Sequence, residues 1–203
     1  QELLSHLPQN KILRILDVGC GCGFFALMLA EHGHQVTGID LTVSMIQKGR
    51  ELAAKYGAAV DLRAMDAEHP AFGDGTFDAV VTRNLTWTLP HPQEAYEEWI
   101  RVLKPGGILL NYDAEHAKYH RRNGLEGEEA HRMLSGAQMD ECMKIYGMLP
   151  ISGWRRPDWD LCVLRQMGCS EVTADEKIGD KLYPRESEFS VPYPMFRIKA
   201  VKA

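Results

Sequence analysis

The sequence predicts an α/β protein built on a doubly wound parallel sheet, and three observations support this prediction. From Ile12 to Tyr112, short apolar segments that suit buried strands alternate with segments of helical pattern. A turn rich in glycine joins the first apolar segment to the first helical one. Polar residues follow later apolar segments, and ligands of doubly wound sheets bind at the carboxyl ends of strands.

Individual residues indicate where each predicted strand and helix begins and ends. The strands are expected at residues 12–18, 35–39, 59–64, 77–82 and 108–112, the first being apolar on both faces as a central parallel strand should be. The helices are expected at 2–7, 24–32, 43–56 and 92–103, with Thr42 as N-cap of the third and Gly33 and Gly57 as helix ends. Residues 104–107 read as a sharp turn into the fifth strand.

The pattern changes after Tyr112. Residues 114–156 are polar with helical stretches and show no strand pattern, so we expect a helical cap inserted over the sheet edge. A helix at 157–167 and strands at 170–175 and 194–201 complete the chain. We therefore expect a single domain over residues 1–203 with a helical cap insertion at 114–156.

The composition narrows the class of protein. The chain has 203 residues, 45% hydrophobic and 25% charged, which is ordinary for a globular domain. Its net charge of −5 argues against a nucleic-acid partner, and no apolar run is long enough for a membrane span. Five cysteines without paired spacing, and no secretory signal, indicate a cytoplasmic location.

The glycine turn, residues 17–23, suits a nucleotide-type cofactor. Glycine lets the backbone turn tightly and approach a ligand closely, and a helix starting there presents unpaired N–H groups to an anionic or polar group. The spacing is G-x-G-x-G, whereas dinucleotide sites read G-x-G-x-x-G. A tight turn without any ligand is the alternative. We interpret Cys20 and Cys22 as small loop residues, not metal ligands.

Three motifs occur along the chain: D-x-G-x-G-x-G at 17–23, F-D-x-V at 77–80 and R-V-L-K-P-G-G at 101–107. Together they resemble the motifs of the class I S-adenosylmethionine (SAM)-dependent methyltransferases of the small-molecule type. The resemblance implies a Rossmann-like seven-stranded sheet whose last strand, at 194–201, is antiparallel. It also implies SAM as cofactor, S-adenosylhomocysteine as product and a small molecule as the methyl acceptor.

The resemblance implies roles for individual residues. Asp40, beside Leu41, is expected to accept hydrogen bonds from both ribose hydroxyls, and Asp66 and the N–H of Ala67 to contact adenine. The loop and the methionine end of SAM are assigned to Asp17, Gly19, Cys20, Gly21, Gly23, Arg83, Asn84 and Leu85. Two alternatives are open: Asp40 as only a charge at a helix N-terminus, and Asp17 as only a brace for the turn.

The acceptor side is less well defined. Asn84-x-x-Trp87 is similar to the N-P-P-Y motif of amine methyltransferases, but Leu85 and Thr86 replace both prolines. His116 and Tyr119 are the candidate catalytic residues, in a cluster with Asp113, Glu115 and His120. The cluster could also be a solvated helix face, and a metal site there is not expected. The pair Arg155-Arg156 is interpreted as surface charge.

We therefore expect a SAM-dependent methyltransferase acting on a small molecule by in-line displacement. A non-catalytic SAM-binding protein would use the same cofactor residues, so the sequence does not separate the two. An NAD(P)-dependent oxidoreductase is disfavoured by the glycine spacing and by the L-K-P-G-G turn.

Overall fold

The computed structural model describes residues 1–116, 135–182 and 194–203, and its strands form one mixed sheet in the order β3-β2-β1-β4-β5-β7-β6. The strands are β1 Arg14–Val18, β2 Gln35–Asp40, β3 Val60–Ala64, β4 Phe77–Arg83, β5 Leu103–Ala114, β6 Ser170–Asp175 and β7 Met195–Val201. β1 to β5 pair in parallel, and β7 runs antiparallel to both β5 and β6. The predicted seven-stranded sheet with an antiparallel last strand is confirmed.

Helices cover both faces of this sheet. They are α1 Glu2–Ser5, α2 Phe24–Glu31, α3 Val43–Tyr56, α4 Pro92–Val102, α5 Gly136–Met148, α6 Asp158–Gln166 and α7 Ile178–Leu182, with 3₁₀ turns at Thr86–Thr88 and Pro150–Gly153. Within the described ranges, no helix is long and apolar enough to cross a lipid bilayer.

Alternating side chains of each central strand supply two separate cores. In β1, Leu16 packs in the cluster that contains Trp99 of α4, whereas Ile15 packs in the cluster that contains Leu29 of α2. All four side chains are fully buried. Because successive strand residues point to opposite faces, an apolar strand is stabilised from both sides. This burial fixes the strand register and therefore the positions of the strand ends.

Two local predictions need correction. Thr42 precedes α3 as predicted, but its side chain makes no capping bond; instead its N–H donates to Asp40 Oδ1 at 2.8 Å. The turn expected before the fifth strand lies inside β5, where the pairing steps from Phe77 with Leu103 to Ala79 with Ile108. Gly106, at φ +73°, adopts the left-handed conformation that this irregularity in the strand requires. The strand therefore begins at Leu103, before the apolar run.

Candidate cofactor and acceptor site

The glycine loop adopts a conformation that requires its glycines. Gly19, Gly21 and Gly23 have φ values of +66°, +56° and +89°, in the left-handed region that side chains disfavour. A Cβ on Gly19 would lie 2.8 Å from the Leu85 side chain. Gly23 occupies the N-cap position of α2 and supplies no side-chain cap. These three positions therefore carry no side chain that would keep a ligand away from the loop backbone.

Asp40 connects this loop to the next strand–helix turn. Its Oδ2 accepts from the N–H of Gly21 at 2.9 Å and its Oδ1 from the N–H of Thr42 at 2.8 Å. Each carboxylate oxygen has two lone pairs, so both oxygens can accept a further hydrogen bond. Leu41, next to it, is 74% exposed. A diol above Asp40 and an apolar ring beside Leu41 would fit this arrangement.

Asp66 and Ala67 follow the neighbouring strand, β3. The Asp66 side chain is half-exposed, and its Oδ1 accepts from the N–H of Glu68 at 2.8 Å. Ala67 is buried, and its carbonyl accepts from the indole N–H of Trp99 at 2.8 Å. The hydrogen bond from Trp99 thus holds the backbone at Ala67 in place, while the Asp66 carboxylate remains accessible to solvent. This geometry suits the predicted contact with an adenine edge.

Asp17 lies beneath the loop. It is buried, and its Oδ2 accepts from the N–H of Ala26 at 2.9 Å, which fastens the end of β1 to the first turn of α2. Burial raises the pKa of Asp17 to about 7, although the Ala26 hydrogen bond and the charge of Arg83 lower it in part. The structure shows the bracing role directly. The contact with the methionine end of SAM stays a prediction.

Cys20 has a structural role in the glycine loop. Its N–H donates to the carbonyl of Ile39 at 2.9 Å, and its side chain is buried. Burial is the main reason that its pKa is raised, so the thiol is not poised for metal or redox chemistry. Its interpretation as a small loop residue agrees with this geometry.

The segment after β4 folds back toward the glycine loop. Asn84 has φ +54°, and its N–H donates to the carbonyl of Tyr112 at 2.8 Å. Leu85 then packs against Gly19, while the guanidinium of Arg83 lies 4.7 Å from the ring centre of Phe24. Arg83 is therefore held by an aromatic face beside the loop. Leu85 thus contacts the glycine loop and Arg83 the first residue of α2, while their contact with the methionine end of SAM stays a prediction.

A narrow pocket follows at the ends of β4 and β5. Trp87, Glu115, His116, Ser152 and Arg156 are among its lining residues. His116 is buried, with its ring 4.7 Å from that of Trp87. The pocket and the glycine loop open at the same edge of the sheet. The other predicted catalytic residue, Tyr119, and its neighbour His120 lie outside the described residues.

Arg156 corrects the prediction of surface charge for the arginine pair. Its side chain is 2% exposed and donates to Asp113 Oδ2 at 2.6 Å and to Asp160 Oδ1 at 2.7 Å. The buried hydroxyl of Tyr96 also donates to Asp160, at 2.7 Å. Asp160 lies four residues after Arg156, and this helical spacing was the one signal in the sequence that could have indicated the pair. Arg155, in contrast, is exposed.

Asp113 joins this buried network to the pocket. Its Oδ2 also accepts from the N–H of Trp87 at 3.0 Å, and its Oδ1 accepts from the N–H of Ala114 at 3.0 Å. Burial raises the pKa of Asp113, while the nearby guanidinium lowers it in part. The network thus ties the segment after β4 to the chain after residue 150.

This combination defines a class of protein. An acidic residue ends β2 beside a three-glycine turn, a second one follows β3, and the sheet order is β3-β2-β1-β4-β5-β7-β6. The class is that of α/β proteins that bind an adenosine-containing cofactor at the carboxyl edge of the sheet.

Comparisons with known proteins agree and are more specific. Residues 16–111 match a family described as "Methyltransferase domain". A ubiquinone biosynthesis O-methyltransferase from Hahella chejuensis is 27% identical over 191 residues, covering 93% of this chain and 77% of that protein. A phosphatidylethanolamine N-methyltransferase from Cereibacter sphaeroides is 38% identical over 105 residues, covering 50% of this chain and 51% of that protein.

The fold is shared with solved structures. The crystal structure of an S-adenosylmethionine-dependent methyltransferase from Mesorhizobium loti superposes with a TM-score of 0.70 at 21% identity, covering 98% of this chain and 95% of that one. The chain thus contains a methyltransferase domain over residues 16–111 and has the fold of SAM-dependent methyltransferases, and its cofactor is S-adenosylmethionine. The chain spans 77% of the length of the Hahella protein, but only about half or less of the length of the next curated relatives.

Proposed function

We propose that this chain transfers the methyl group of SAM to a small-molecule acceptor bound in the pocket beside Trp87. One observation carries the proposal: the segment after β4 contacts the glycine loop through Leu85 and lines the pocket through Trp87. A cofactor on the loop and an acceptor in the pocket would therefore be separated by only a few residues of backbone.

The cofactor contacts proposed here are those expected from the sequence. Asp40 accepts from the ribose, Asp66 and Ala67 contact adenine, and Leu41 covers an apolar edge of the adenosine. The remaining contacts surround the methionine end of SAM, namely Asp17, Gly19, Cys20, Gly21, Gly23, Arg83, Asn84 and Leu85. The accessible carboxylates and the left-handed glycines support this assignment.

When bound, SAM supplies a methyl carbon that its sulfonium has made electrophilic. The task of the chain is then to orient the acceptor in line with that carbon and to exclude water. The described residues of the expected cap, 114–116 and 135–156, supply the acceptor side in this proposal, and His116 is the candidate proton acceptor for a nucleophile that arrives protonated. Its position in the pocket wall supports that role.

The names of the relatives include O-methyl and N-methyl transfer, which supports methyl transfer without selecting the accepting atom. The test is to incubate the chain with SAM and a panel of small amines, phenols and carboxylic acids and to measure release of S-adenosylhomocysteine. Release that depends on one acceptor class supports the proposal. Tight binding of S-adenosylhomocysteine without release on a broad panel would favour a non-catalytic SAM-binding protein.

A further inference from the structure

A closed series of buried hydrogen bonds begins and ends at the 3₁₀ turn that follows β4. Thr86 is the first residue of this turn, and its Oγ1 accepts from Asn111 Nδ2 at 2.8 Å. The same amide group donates to the hydroxyl of Tyr96 at 2.7 Å. That hydroxyl donates in turn to Asp160 Oδ1 at 2.7 Å. The series thus runs from the turn through β5 and α4 to α6.

The return path leads through Arg156 to the backbone of the next residue of the turn, Trp87. Arg156 Nη2 donates to Asp160 Oδ1 at 2.7 Å, and its Nη1 donates to Asp113 Oδ2 at 2.6 Å. Asp113 Oδ2 also accepts from the N–H of Trp87 at 3.0 Å, which closes the series. We call its six side chains the turn network; they are Thr86, Tyr96, Asn111, Asp113, Arg156 and Asp160.

The turn network lies in the interior. None of its six side chains is more than 2% exposed. A buried ion pair often stabilises a protein no more than well-packed apolar side chains would, because its charges lose their hydration. The network does favour one arrangement, because a displacement would leave a buried charge or donor without its partner. Its clearest consequence is therefore a fixed position for the turn.

The position of this turn matters for both sides of the candidate site. The ring of Trp87 lines the pocket and lies 4.7 Å from the ring of His116 and 5.4 Å from that of Tyr146. Leu85, directly before the turn, packs against Gly19 of the glycine loop. A displacement of about 1 Å between two reacting groups can slow a reaction on the order of a hundredfold.

We propose that Arg156 is a positioning residue for methyl transfer, which acts through Asp113 to hold Trp87 and the acceptor beside the cofactor. This inference rests on the proposed function. The guanidinium donates to the two aspartates through Nε, Nη1 and Nη2, so its role is to connect them. The backbone N–H of Arg156 separately donates to Glu115 Oε1 at 2.9 Å, a bond that a side-chain substitution retains.

Arg156→Lys tests the role in turnover, because lysine keeps the charge but cannot donate to both aspartates in the fork geometry of a guanidinium. With the best acceptor of the panel, we expect kcat to fall about tenfold or more. The dissociation constant of S-adenosylhomocysteine should stay within about twofold. In a Trp87→Phe background the same substitution should lower kcat by less than about threefold, because the residue through which it acts is already altered.

Hydrogen exchange of the Trp87 backbone N–H tests the same role without turnover. We expect Arg156→Lys to raise its exchange rate about tenfold or more, while the N–H of Ala26, bonded to Asp17, keeps its rate. Thr86→Val breaks the network at its other end and should act in the same way, including where Arg156→Lys does not fold. Thr86→Ser keeps the hydroxyl and should behave like the wild type.

Asp78→Asn is the control for loss of stability alone. Asp78 accepts from the N–H of Arg14 and from Lys104 at the amino-terminal ends of the strands, away from the pocket. This variant should lower the melting temperature and leave kcat and the exchange of Trp87 unchanged.

Two results would overturn the inference while the wild type turns over normally. One is an unchanged kcat and an unchanged Trp87 exchange rate in both Arg156→Lys and Thr86→Val. The other is an effect of Arg156→Lys on kcat that is equally large with Trp87 and with Phe at this position. A wild type that transfers methyl to no acceptor would instead contradict the proposed function, and this inference with it.

Discussion

At the scale of single residues, carboxylates of this site have different roles because their surroundings differ. Asp40 and Asp66 reach the surface at the sheet edge, whereas Asp17 is buried under the glycine loop. An accessible carboxylate can accept from a ligand, while a buried one mainly organises the backbone around it. The two kinds predict different consequences of substitution.

Asp66→Ala should weaken S-adenosylhomocysteine binding without unfolding the protein. The side chain is half-exposed and accepts a local hydrogen bond from the N–H of Glu68, so its removal costs little packing. Losing a hydrogen bond to a charged group typically costs about 1.5 kcal/mol or more, roughly tenfold in affinity. Asp61→Ala, an equally exposed aspartate on β3, is the control for calorimetry and thermal unfolding. A large drop in melting temperature with unchanged affinity would make Asp66 structural.

Asp17 should give the protein a pH-dependent stability. In the unfolded chain an aspartate has a pKa near 3.9, whereas burial raises that of Asp17 to about 7. Between these values the folded protein retains a proton that the unfolded chain releases. The free energy of unfolding should therefore fall as the pH rises from about 4 to about 7.

Asp17→Asn isolates this effect, because the amide oxygen can still accept from the N–H of Ala26 but cannot ionise. Urea unfolding at about pH 5 and about pH 7.5 should show the wild type losing about 2 kcal/mol relative to the variant. Asp61→Asn, on an exposed aspartate, should follow the wild type. Parallel pH profiles for wild type and Asp17→Asn would contradict the raised pKa.

At the scale of elements, α3 must lie unusually close to the glycine loop. A Cβ added to Gly49 would stand 2.7 Å from Leu62 Cδ1 and 3.1 Å from the backbone oxygen of Cys22. Glycine in a helix interior costs about 1 kcal/mol relative to alanine, so an unstrained helix would not favour it. Close contact between α3 and the loop explains why glycine is used here.

Gly49→Ala should therefore lower the melting temperature and weaken S-adenosylhomocysteine binding, because α3 or the loop must move. A Cβ added to Gly147 in α5 would meet no atom within 4 Å, so Gly147→Ala should leave stability unchanged or raise it. Thermal unfolding with and without S-adenosylhomocysteine measures both effects. Equal changes in the two variants would show that helix propensity alone decides them.

Most elements were predictable from the sequence because their signals are local. Hydrophobic period and apolar runs placed six of the seven strands within two residues of their bounds, whereas β5 begins five residues before the predicted strand. Val43–Tyr56 and Ser170–Asp175 were predicted to the residue. α7 was missed because it has only five residues and contains Gly179. The bend within β5 was misplaced because sequence pattern does not show where pairing with β4 starts.

Buried charges were the least predictable part of the site. Arg156 and Asp113 are 43 residues apart in the sequence. Each lies in a polar segment, and polar segments are usually found at the surface, so the sequence does not indicate that the two side chains pair in the interior. Glu68 lies in a polar stretch of the sequence, yet it is buried and accepts from both the backbone N–H and the ring of His91. Long-range pairing of this kind depends on the fold and has no local signature.

At the scale of the whole molecule, the family motifs lie at opposite ends of the parallel strands. Asp78, of the F-D-x-V motif, accepts from the N–H of Arg14 and from Lys104, each at 2.9 Å. Burial alone would raise the pKa of Asp78, but these contacts and Lys11 lower it to about 2. Arg14 and Leu103 begin β1 and β5. This motif therefore connects strands at their amino-terminal ends, opposite the end that carries the glycine loop. Only the first motif reaches the site.

The central claim is that the glycine loop and Asp40 form the SAM site, and calorimetric titration with S-adenosylhomocysteine and with NADH tests it most directly. We predict saturable binding of S-adenosylhomocysteine, weakened about tenfold to a hundredfold by Asp40→Asn, and no binding of NADH. Asp61→Asn should bind like the wild type. Equal affinity of wild type and Asp40→Asn for S-adenosylhomocysteine, or binding of NADH in its place, would contradict the account.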